Sequence, residues 1–251
     1  MIELLDIDFY FGKTPALKDI NITIKEGEKI VLLGPNGSGK STLLKIIAGL
    51  IFPKKGKYLY NGVHINARKL KDKEFEKTFR KSVQIMFQEP DIMLFNPSVY
   101  EEIAFGPLLF GMYNVEERVK RISDLLGITG LLKRPVYLLS GGEKAKVALA
   151  SILVLEPALL LLDEPTAYLD IKSTKKLCGI IKEGSFTTLV AMHDIHIAKH
   201  FGRRFIVISK EHRVVFDGTY SELLKSNVVE NYSFFEPEEI ECNREKAYEK
   251  R

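Results

Sequence analysis

The first thirty residues alternate between apolar and polar positions or run apolar, which predicts short β-strands. The segments "IELLDIDFYF" and "LKDINITI" are separated by a predicted turn at Gly12-Lys13, and a second turn is predicted at Glu26-Gly27. The apolar run "KIVLL", residues 29–33, then predicts a buried strand. A hairpin is predicted over residues 53–62, because the Asn61-Gly62 pair favours a tight two-residue turn.

Helical periodicity appears first in "LLKIIAGL", where apolar residues recur at helical spacing on one face: Leu43, Ile46, Ile47 and Leu50. The charged segment "ARKLKDKEFEKTFRKS" predicts a solvated connection with some helix. From about residue 88 to 150 the periodicity is mainly helical. Within it, one apolar face is formed by Val115, Val119, Ile122 and Leu126.

Strands return in the second half of the chain. "ALLLLDEP" is a short apolar run ending in acids, as a buried parallel strand would be, and "FTTLVAMHD" and "RFIVISK" predict two more strands. Asp217-Gly218 predicts a turn, and Thr219 with Glu222 predicts a capping box that opens a late helix. Strands alternating with helices indicate an α/β fold. The helical stretch of about 88–150 is interpreted as a subdomain inserted into a domain of residues 1–225, and residues 226–251 as a charged C-terminal tail.

Composition narrows the class of protein only slightly. The 251 residues are 45% hydrophobic and 28% charged, which is ordinary globular composition. The net charge of +4 is too small to argue for nucleic acid, so we expect no nucleic-acid partner. The two cysteines, Cys178 and Cys242, have no metal-like spacing and fit a reduced, cytosolic chain. "SILVLEPALLLL", the longest apolar run, is too short to cross a bilayer, so any membrane role requires a partner.

A phosphate-binding loop is predicted between the strand ending at Leu33 and the helix that follows. Glycines let the backbone turn so that its N–H groups converge on phosphate oxygens, and the helix start adds dipole attraction. Lys40 would reach the outer phosphates as a point charge, and Ser41 can hold Mg²⁺. The segment fits G-x-x-x-x-G-K-[ST]. The predicted nucleotide-binding residues are Gly34, Pro35, Asn36, Gly37, Ser38, Gly39, Lys40, Ser41 and Thr42.

An acid pair ends the predicted strand of "LLLLDEP". Asp163 at the strand end is placed to hold the Mg²⁺ shell, and Glu164 would then sit beside the γ-phosphate and orient or deprotonate water. An acid pair at a strand end is also common in structural turns. In a chain that already has a phosphate loop, the catalytic interpretation is favoured.

Two glycines precede another helix in "YLLSGGEKAKVALA", where the helix is predicted to start near Glu143. Glycines at a helix start can form a second anion site, which would face a nucleotide held by another copy of the chain. A plain capped helix explains the same residues equally simply. From Ser140, Gly141 and Gly142 alone, the capped helix is the preferred interpretation.

The segment "HDIHIAKH" brings three histidines close in sequence. His196 and His200 stand at i and i+4, which can bind a metal ion on a helix face. The simpler hypothesis is one functional histidine, His193, at a strand end and two incidental helix residues. The simpler hypothesis is preferred, because no carboxylate motif completes a metal site.

Taken in order and spacing, these motifs resemble the ATP-binding cassette (ABC) family over about residues 1–225. The resemblance rests on "GPNGSGKST", Gln88, "LSGGE", "LLLLDEPTAYLD" and His193. It implies a P-loop NTPase (RecA-like) core with an N-terminal antiparallel β subdomain and an inserted α-helical signature subdomain. It also implies an ATPase that dimerises head to tail and holds two ATP molecules with Mg²⁺.

The resemblance also assigns roles to individual residues. Phe11 would stack on adenine, with Tyr10 as a rival, and Gln88 would sense the γ-phosphate, ligate Mg²⁺ and link to the helical subdomain. His193 would contact the γ-phosphate. Asp170 would close the dimer interface. The residues implied to contact ATP across the dimer are Ser140, Gly141, Gly142 and Glu143.

The segment "FQEPDIMLFNPSVYEEIAFGP" resembles the energy-coupling factor branch, whose ATPases drive uptake of vitamins or of cobalt and nickel ions. This implies a peripheral subunit at the cytoplasmic face of the cell membrane, bound to integral membrane subunits as a homodimer or with a related ATPase. Leu94 and Phe95 are the expected docking residues, unless they are core. Two alternatives are an ATPase of another importer class and a non-transport ABC ATPase in translation or repair. A non-hydrolysing regulatory module is disfavoured, because Glu164 and His193 fill both catalytic positions.

Overall fold

The computed structural model describes residues 1–231. Its strands are β1 (Ile2–Phe11), β2 (Thr14–Ile24), β3 (Lys29–Leu33), β4 (Lys55–Tyr60), β5 (Val63–His64), β6 (Val83–Met86), β7 (Leu159–Asp163), β8 (Thr187–Met192), β9 (Arg204–Ile208) and β10 (Val214–Thr219). Its α-helices are α1 (Lys40–Ile47), α2 (Lys73–Ser82), α3 (Val99–Leu109), α4 (Val115–Leu126), α5 (Gly141–Leu153), α6 (Ile171–Glu183), α7 (Ile195–Ala198), α8 (Tyr220–Lys225) and α9 (Val228–Asn231). Short 3-10 turns include Pro90–Met93 and Val136–Leu138.

The chain divides into two compact units. The first comprises Met1–Lys71 together with the described residues from Thr187 onward, and the second comprises Asp72–Phe186. In the first unit, an antiparallel sheet has the order β2-β1-β4-β5. The predicted turn at Asn61-Gly62 joins β4 to β5, with both residues at positive φ as such a tight turn requires.

A second sheet of the first unit carries the loop of interest. In it β3 pairs in parallel with β8 on one side and with β9 on the other, while β10 adds antiparallel to β9. The side chains of β8 and most of those of β3 and β9 are buried, as expected for parallel strands covered on both faces. The carboxyl end of β3 therefore delivers the chain directly into the loop before α1.

The second unit combines helices with a parallel pair of strands, β6 and β7. The register aligns Val83 with Leu159 and Met86 with Leu162, so the two strands end at the same edge. Helix α4 buries Val119, Ile122 and Leu126 as its periodicity predicts. The α/β fold class and the helical character of this part of the chain are thus as the sequence indicates.

The predicted turn at Asp217-Gly218 is wrong, because both residues lie inside β10 and pair with Ile206 and Phe205 of β9. The guanidinium of Arg204 donates twice to the Asp217 carboxylate, at 2.7 Å each, and holds it in the ladder. The turn between the two strands falls instead at residues 209–213. The capping box of Thr219 and Glu222 is present at the start of α8.

Leu50 does not belong to the apolar face predicted for α1, since the helix ends at Ile47 and Leu50 is exposed. Gly49 has a φ of 64° and ends the helix in a Schellman arrangement. In it the Gly49 N–H donates to the carbonyl of Ile46 and the Leu50 N–H to that of Lys45.

None of the described helices is long and apolar enough to cross a membrane. In the predicted C-terminal tail, α9 occupies residues 228–231. Residues 232–251, which include Cys242, lie outside the described residues.

Candidate nucleotide site

The loop between β3 and α1 has the backbone geometry that the sequence predicts for phosphate binding. Gly34, Gly37 and Gly39 have φ values of 154°, 80° and 110°, in the region that side-chain-bearing residues rarely adopt. A Cβ on Gly34 would lie 2.4 Å from the carbonyl oxygen of Ile208, and one on Gly39 would lie 2.2 Å from that of Ala16. Neighbouring strands thus approach the loop so closely that only glycine fits at these two positions.

Lys40 and Ser38 supply polar groups to the same loop. The buried Lys40 ammonium donates to the carbonyl oxygens of Gly34 at 2.7 Å and Pro35 at 3.2 Å, which holds its charge within the curve of the loop. The buried Ser38 hydroxyl has no hydrogen-bond partner in the described structure. Asn36 is exposed, whereas Ser41 and Thr42 are partly exposed in the first turn of α1.

Phe11, the predicted adenine-stacking residue, ends β1 with 57% of its surface exposed. Its ring meets the Phe9 ring in a T-shaped arrangement with ring centroids 5.0 Å apart. Tyr10 is only partly exposed. The exposed ring favours Phe11 over Tyr10 for stacking on a planar base.

His193 is exposed and follows the last residue of β8, at the carboxyl edge of the sheet that carries the phosphate loop. His196 lies in α7, but that helix ends at Ala198, so His200 falls outside it and the i, i+4 pair has no helix to present it. Among residues 1–231, no group of three or more His, Cys, Asp or Glu side chains could hold a metal ion.

In the second unit, Asp163 ends β7 and Glu164 follows it, and both side chains are buried. Glu164 has a φ of 47°, a left-handed conformation that is unusual for a residue with a side chain. Such a conformation costs on the order of 1–3 kcal/mol and persists where the surroundings impose it, often at functional sites. The outlier falls at the residue predicted to act on water.

Gln88 is exposed just beyond β6 and begins a loop that runs to Ser98. The loop is fixed from inside by Glu102 of α3, a carboxylate that the sequence analysis did not single out. Its Oε2 accepts hydrogen bonds from the backbone N–H groups of Phe95 at 2.9 Å and Asn96 at 2.8 Å, and from the Asn96 amide at 3.2 Å. Lys144 of α5 also holds Asp91 by an ion pair.

The apolar residues of this segment divide into core and surface. Val99 and Ile103 of α3 are fully buried, whereas Phe95 is 67% exposed. The Phe95 ring meets Phe105 edge-on at 5.0 Å. Phe105, Leu108 and Leu109 lie on one face of α3 at i, i+3 and i+4 spacing and are exposed, so an apolar strip continues from the loop along the helix.

Helix α5 begins at Gly141, two residues before the predicted start, and Ser140 is its N-cap. Glu143 completes a capping box, since its carboxylate accepts the Ser140 N–H and hydroxyl at 2.8 Å while Ser140 Oγ accepts the Glu143 N–H. These hydrogen bonds, helped less by the nearby Arg134 charge, lower the pKa of Glu143. The capped-helix interpretation therefore holds for this chain by itself, and contacts to a second copy stay a prediction.

Asp170, predicted at a dimer interface, is the N-cap of α6 and accepts the Ser173 N–H at 2.7 Å. This hydrogen bond lowers the pKa of Asp170. Tyr168, two residues earlier, packs on the start of α5: a Cβ on Gly141 would lie 3.2 Å from its ring, and one on Gly142 would lie 3.0 Å from its carbonyl oxygen. The turn carrying Asp170 and the "SGG" segment are thus in contact within this unit.

Comparison with known proteins gives the family directly. The ABC transporter family matches residues 17–167. The chain belongs to the ABC transporter family. A putative ABC transporter ATP-binding protein of Caldanaerobacter subterraneus is 46% identical over 221 residues, covering 86% of this chain and 90% of that protein. The predicted family and ATPase class are confirmed.

Two further relatives come from importers. A nickel import ATP-binding protein of Lactiplantibacillus plantarum is 38% identical, covering 89% of this chain and 95% of that protein. An energy-coupling factor transporter ATP-binding protein of Methanothermobacter thermautotrophicus is 38% identical, covering 90% of this chain and 73% of that protein. Membership of the ABC branch that the sequence resembles is therefore supported by named relatives.

Solved structures agree on the fold. CbiO1 of Clostridium perfringens, part of a transporter complex, superposes with a TM-score of 0.78 at 32% identity, covering 97% of this chain and 98% of that one. A dimeric ATP-binding cassette bound to ADP and Pi superposes with a TM-score of 0.76 at 29% identity, covering 87% and 98%. The predicted P-loop NTPase fold is confirmed.

Proposed function

We propose that this ABC ATPase is the peripheral subunit that powers a membrane importer of the energy-coupling factor type, at the cytoplasmic face of the cell membrane. The cargo would be a transition-metal ion such as cobalt or nickel, or a vitamin. Support comes from the named nickel and energy-coupling factor relatives and from the CbiO1 likeness. The chain would act as a homodimer or beside a related ATPase, bound to integral membrane subunits.

The phosphate loop of residues 34–42 would bind the ATP phosphates, with the Lys40 charge on the outer ones. Ser41, Gln88 and Asp163 offer hydroxyl, amide and carboxylate oxygens, which are the donors that Mg²⁺ prefers. When bound, Mg²⁺ would neutralise charge on the β- and γ-phosphates. The chemistry of this donor set fits the ion.

Glu164 would orient or deprotonate the attacking water, and His193 would contact the γ-phosphate. The left-handed backbone of Glu164 supports this assignment, because strain at a buried acid needs a reason to persist. A second copy would contribute Ser140, Gly141, Gly142 and Glu143 across the dimer, with Asp170 closing the interface.

The proposed coupling to a membrane subunit rests on one observation, the exposed apolar strip formed by Phe95, Phe105, Leu108 and Leu109. Single exposed apolar residues are normal, but an exposed aromatic pair continued along a helix face marks a docking surface. Because the strip begins in the loop that starts at Gln88, a change at the nucleotide could reach the partner through it.

The test is Phe95→Ser, measured by co-purification with the membrane subunits in mild detergent. The change should leave folding and ATP binding nearly intact, since Phe95 is mostly exposed, and should reduce co-purification strongly. Val215→Ser is the matched control, because Val215 is also an exposed apolar residue but lies in the other unit. Unfolding of the Phe95 variant would mean that the ring is core, and normal assembly would place docking elsewhere. Leu94, the other expected docking residue, is partly buried and is a weaker choice.

The dimer is tested separately with Glu164→Gln, which keeps size but loses the basic carboxylate. This variant should bind ATP, hydrolyse it slowly and accumulate as an ATP-dependent dimer in light scattering. If the Glu164→Gln variant stays monomeric at saturating ATP, both alone and when mixed with a related ATPase chain, the two-copy arrangement is contradicted.

A further inference from the structure

The turn between β9 and β10 places an imidazole against the phosphate loop. His212 stands at the corner of this turn with a φ of 67°, and its Nδ1 lies 3.2 Å from the carbonyl oxygen of Ser38. Histidine is one of the few side-chain-bearing residues enriched in this left-handed region. His212 therefore belongs to the β9–β10 turn and at the same time contacts the middle of the phosphate loop.

Hydrogen bonds to β2 and within the turn fix the position of His212. The His212 carbonyl accepts the Lys18 N–H at 2.8 Å, and its own N–H donates to Ser209 at 3.0 Å. The neighbouring Arg213 pairs with the Asp19 carboxylate at 3.0 Å. The imidazole is therefore presented from a scaffold tied to β2 next to the loop.

The chemistry of the contact sets the direction of the hydrogen bond. A carbonyl oxygen only accepts, so Nδ1 of His212 must carry the proton, in the neutral Nδ1–H tautomer or in the imidazolium. The Ser38–Gly39 peptide is trans, since the described residues contain no cis peptide bond. In a trans peptide the C=O and N–H point in opposite directions. When the Ser38 carbonyl oxygen points toward His212, the Gly39 N–H must therefore point away from His212.

This restraint matters because the backbone here turns easily. Gly37 and Gly39 flank Ser38, both at positive φ, and glycine reaches other conformations at little cost. Gly39 is also the N-cap of α1, where an N–H that points into the loop would serve a phosphate oxygen. A donor on the Ser38 carbonyl would keep that N–H in one orientation before nucleotide arrives.

We propose that His212 is a positioning residue for ATP: its Nδ1–H orients the Ser38–Gly39 peptide so that the Gly39 N–H is preset for a phosphate oxygen. The inference rests on the proposed role of the phosphate loop in binding ATP. His212 itself does not touch the nucleotide. It acts through the peptide, so its effect is on ATP affinity.

The experiment compares His212→Gly and His212→Asn in the full chain by equilibrium titration with ATP and Mg²⁺. Glycine keeps the left-handed turn but removes the donor, so ATP affinity should fall about two- to tenfold, the range of one net hydrogen bond. Asparagine also tolerates this backbone, and its amide nitrogen stands as many bonds from Cα as Nδ1. It should bind ATP within about twofold of the wild type.

Two further variants serve as controls, and the first separates this inference from the proposed function. Lys40→Ala should abolish binding, and a wild type that binds no ATP would overturn both proposals. His212→Asp has the shape of the asparagine variant but its carboxylate cannot donate, so it should bind at least as weakly as the glycine variant. This pair remains informative if the glycine variant does not fold.

A steady-state measurement distinguishes positioning from a general loss of structure. Where ATP hydrolysis is measured, the glycine variant should show a raised KM for ATP with kcat nearly unchanged, because the lost interaction is made equally before and during reaction. Unchanged ATP affinity in His212→Gly, beside a wild type that binds normally, overturns the inference alone. Equal weakness of His212→Asn and His212→Gly also overturns it, since the donor would then not be the cause.

Discussion

Glu102 offers a quantitative test of how the loop after Gln88 is held. Glu102 is 3% exposed, and its carboxylate accepts hydrogen bonds from two backbone N–H groups and one side-chain amide, all through Oε2. A hydrogen bond to a charged acceptor contributes about 1.5–3 kcal/mol. The donors at Phe95 and Asn96 are only partly buried, so water can replace some of the loss. Taking the lower value for the two backbone donors, Glu102→Ala should lower the free energy of unfolding by about 3 kcal/mol.

That loss should lower the melting temperature by about 6–12 °C, since about 1 kcal/mol corresponds to about 2–4 °C in a chain of this size. The melting temperature of Glu102→Gln should fall between those of the wild type and Glu102→Ala, because the amide oxygen of glutamine still accepts hydrogen bonds but carries no charge. The matched control is Glu117→Ala, in the exposed first turn of α4, which loses only a favourable dipole interaction of about 0.3–1 kcal/mol.

Thermal and urea unfolding at neutral pH measure the change, and limited proteolysis locates it. Cleavage of Glu102→Ala should increase first between residues 88 and 98, where the carboxylate holds the loop. If Glu102→Ala and Glu117→Ala are equally stable, the carboxylate does not hold the loop and the reasoning is refuted. Increased cleavage elsewhere, with the loop still protected, would refute it as well.

Three other outcomes are expected. Lys40→Ala should lose the thermal shift with ATP, which for the wild type is about 2.7 kcal/mol at ~100 times the dissociation constant. Phe11→Ala should bind ATP about fivefold more weakly than Phe11→Tyr, since stacking on a base contributes at least ~1 kcal/mol; equal affinities would point to Tyr10. Capping lowers the pKa values of Glu143, Asp170 and Glu222. Their stabilisation is therefore full above the unfolded values of about 4 and lost as pH falls through the lower folded values, and acid unfolding of Glu222→Ala should be less steep than that of the wild type.

The sequence predicts the nucleotide loop well because several signals agree there. The apolar run before Gly34, the glycines and the helical periodicity after Lys40 all require the same strand, loop and helix. The capping box at Thr219 was equally predictable. A similar signal, Ser98 with Glu101, marks the start of α3 and would have separated the buried Val99 and Ile103 from the exposed Phe95.

Other features depend on contacts between distant parts of the chain. Asp217-Gly218 has the composition of a turn, yet pairing with β9 and the ion pair to Arg204 keep it in a strand. Glu102 looks like any acid in a helix, and its role appears only when the loop folds over it. His212 contacts a residue 174 positions away, which no local pattern in one sequence can indicate.

Tyr168 provides a last test, because it joins two segments that are both predicted to meet a second copy. Its ring lies against Gly141 at the start of α5, and it precedes the N-cap Asp170 by two residues. Tyr168 is 47% exposed. Tyr168→Ala should therefore lower the free energy of unfolding by only ~1 kcal/mol, about half the value for a fully buried aromatic ring.

The larger expected effect of Tyr168→Ala is on association. Without the ring, residues 140–143 and the turn before α6 would no longer hold each other in place. Dimerisation would then have to order both segments, and this entropic cost would weaken it. ATP-dependent dimerisation in the Glu164→Gln background should weaken, while ATP affinity of the monomer stays unchanged. Tyr168→Phe keeps the ring and should behave as the parent. If the alanine variant dimerises as well as the parent, contact between these two segments does not prepare the interface, and each must be ordered by other neighbours.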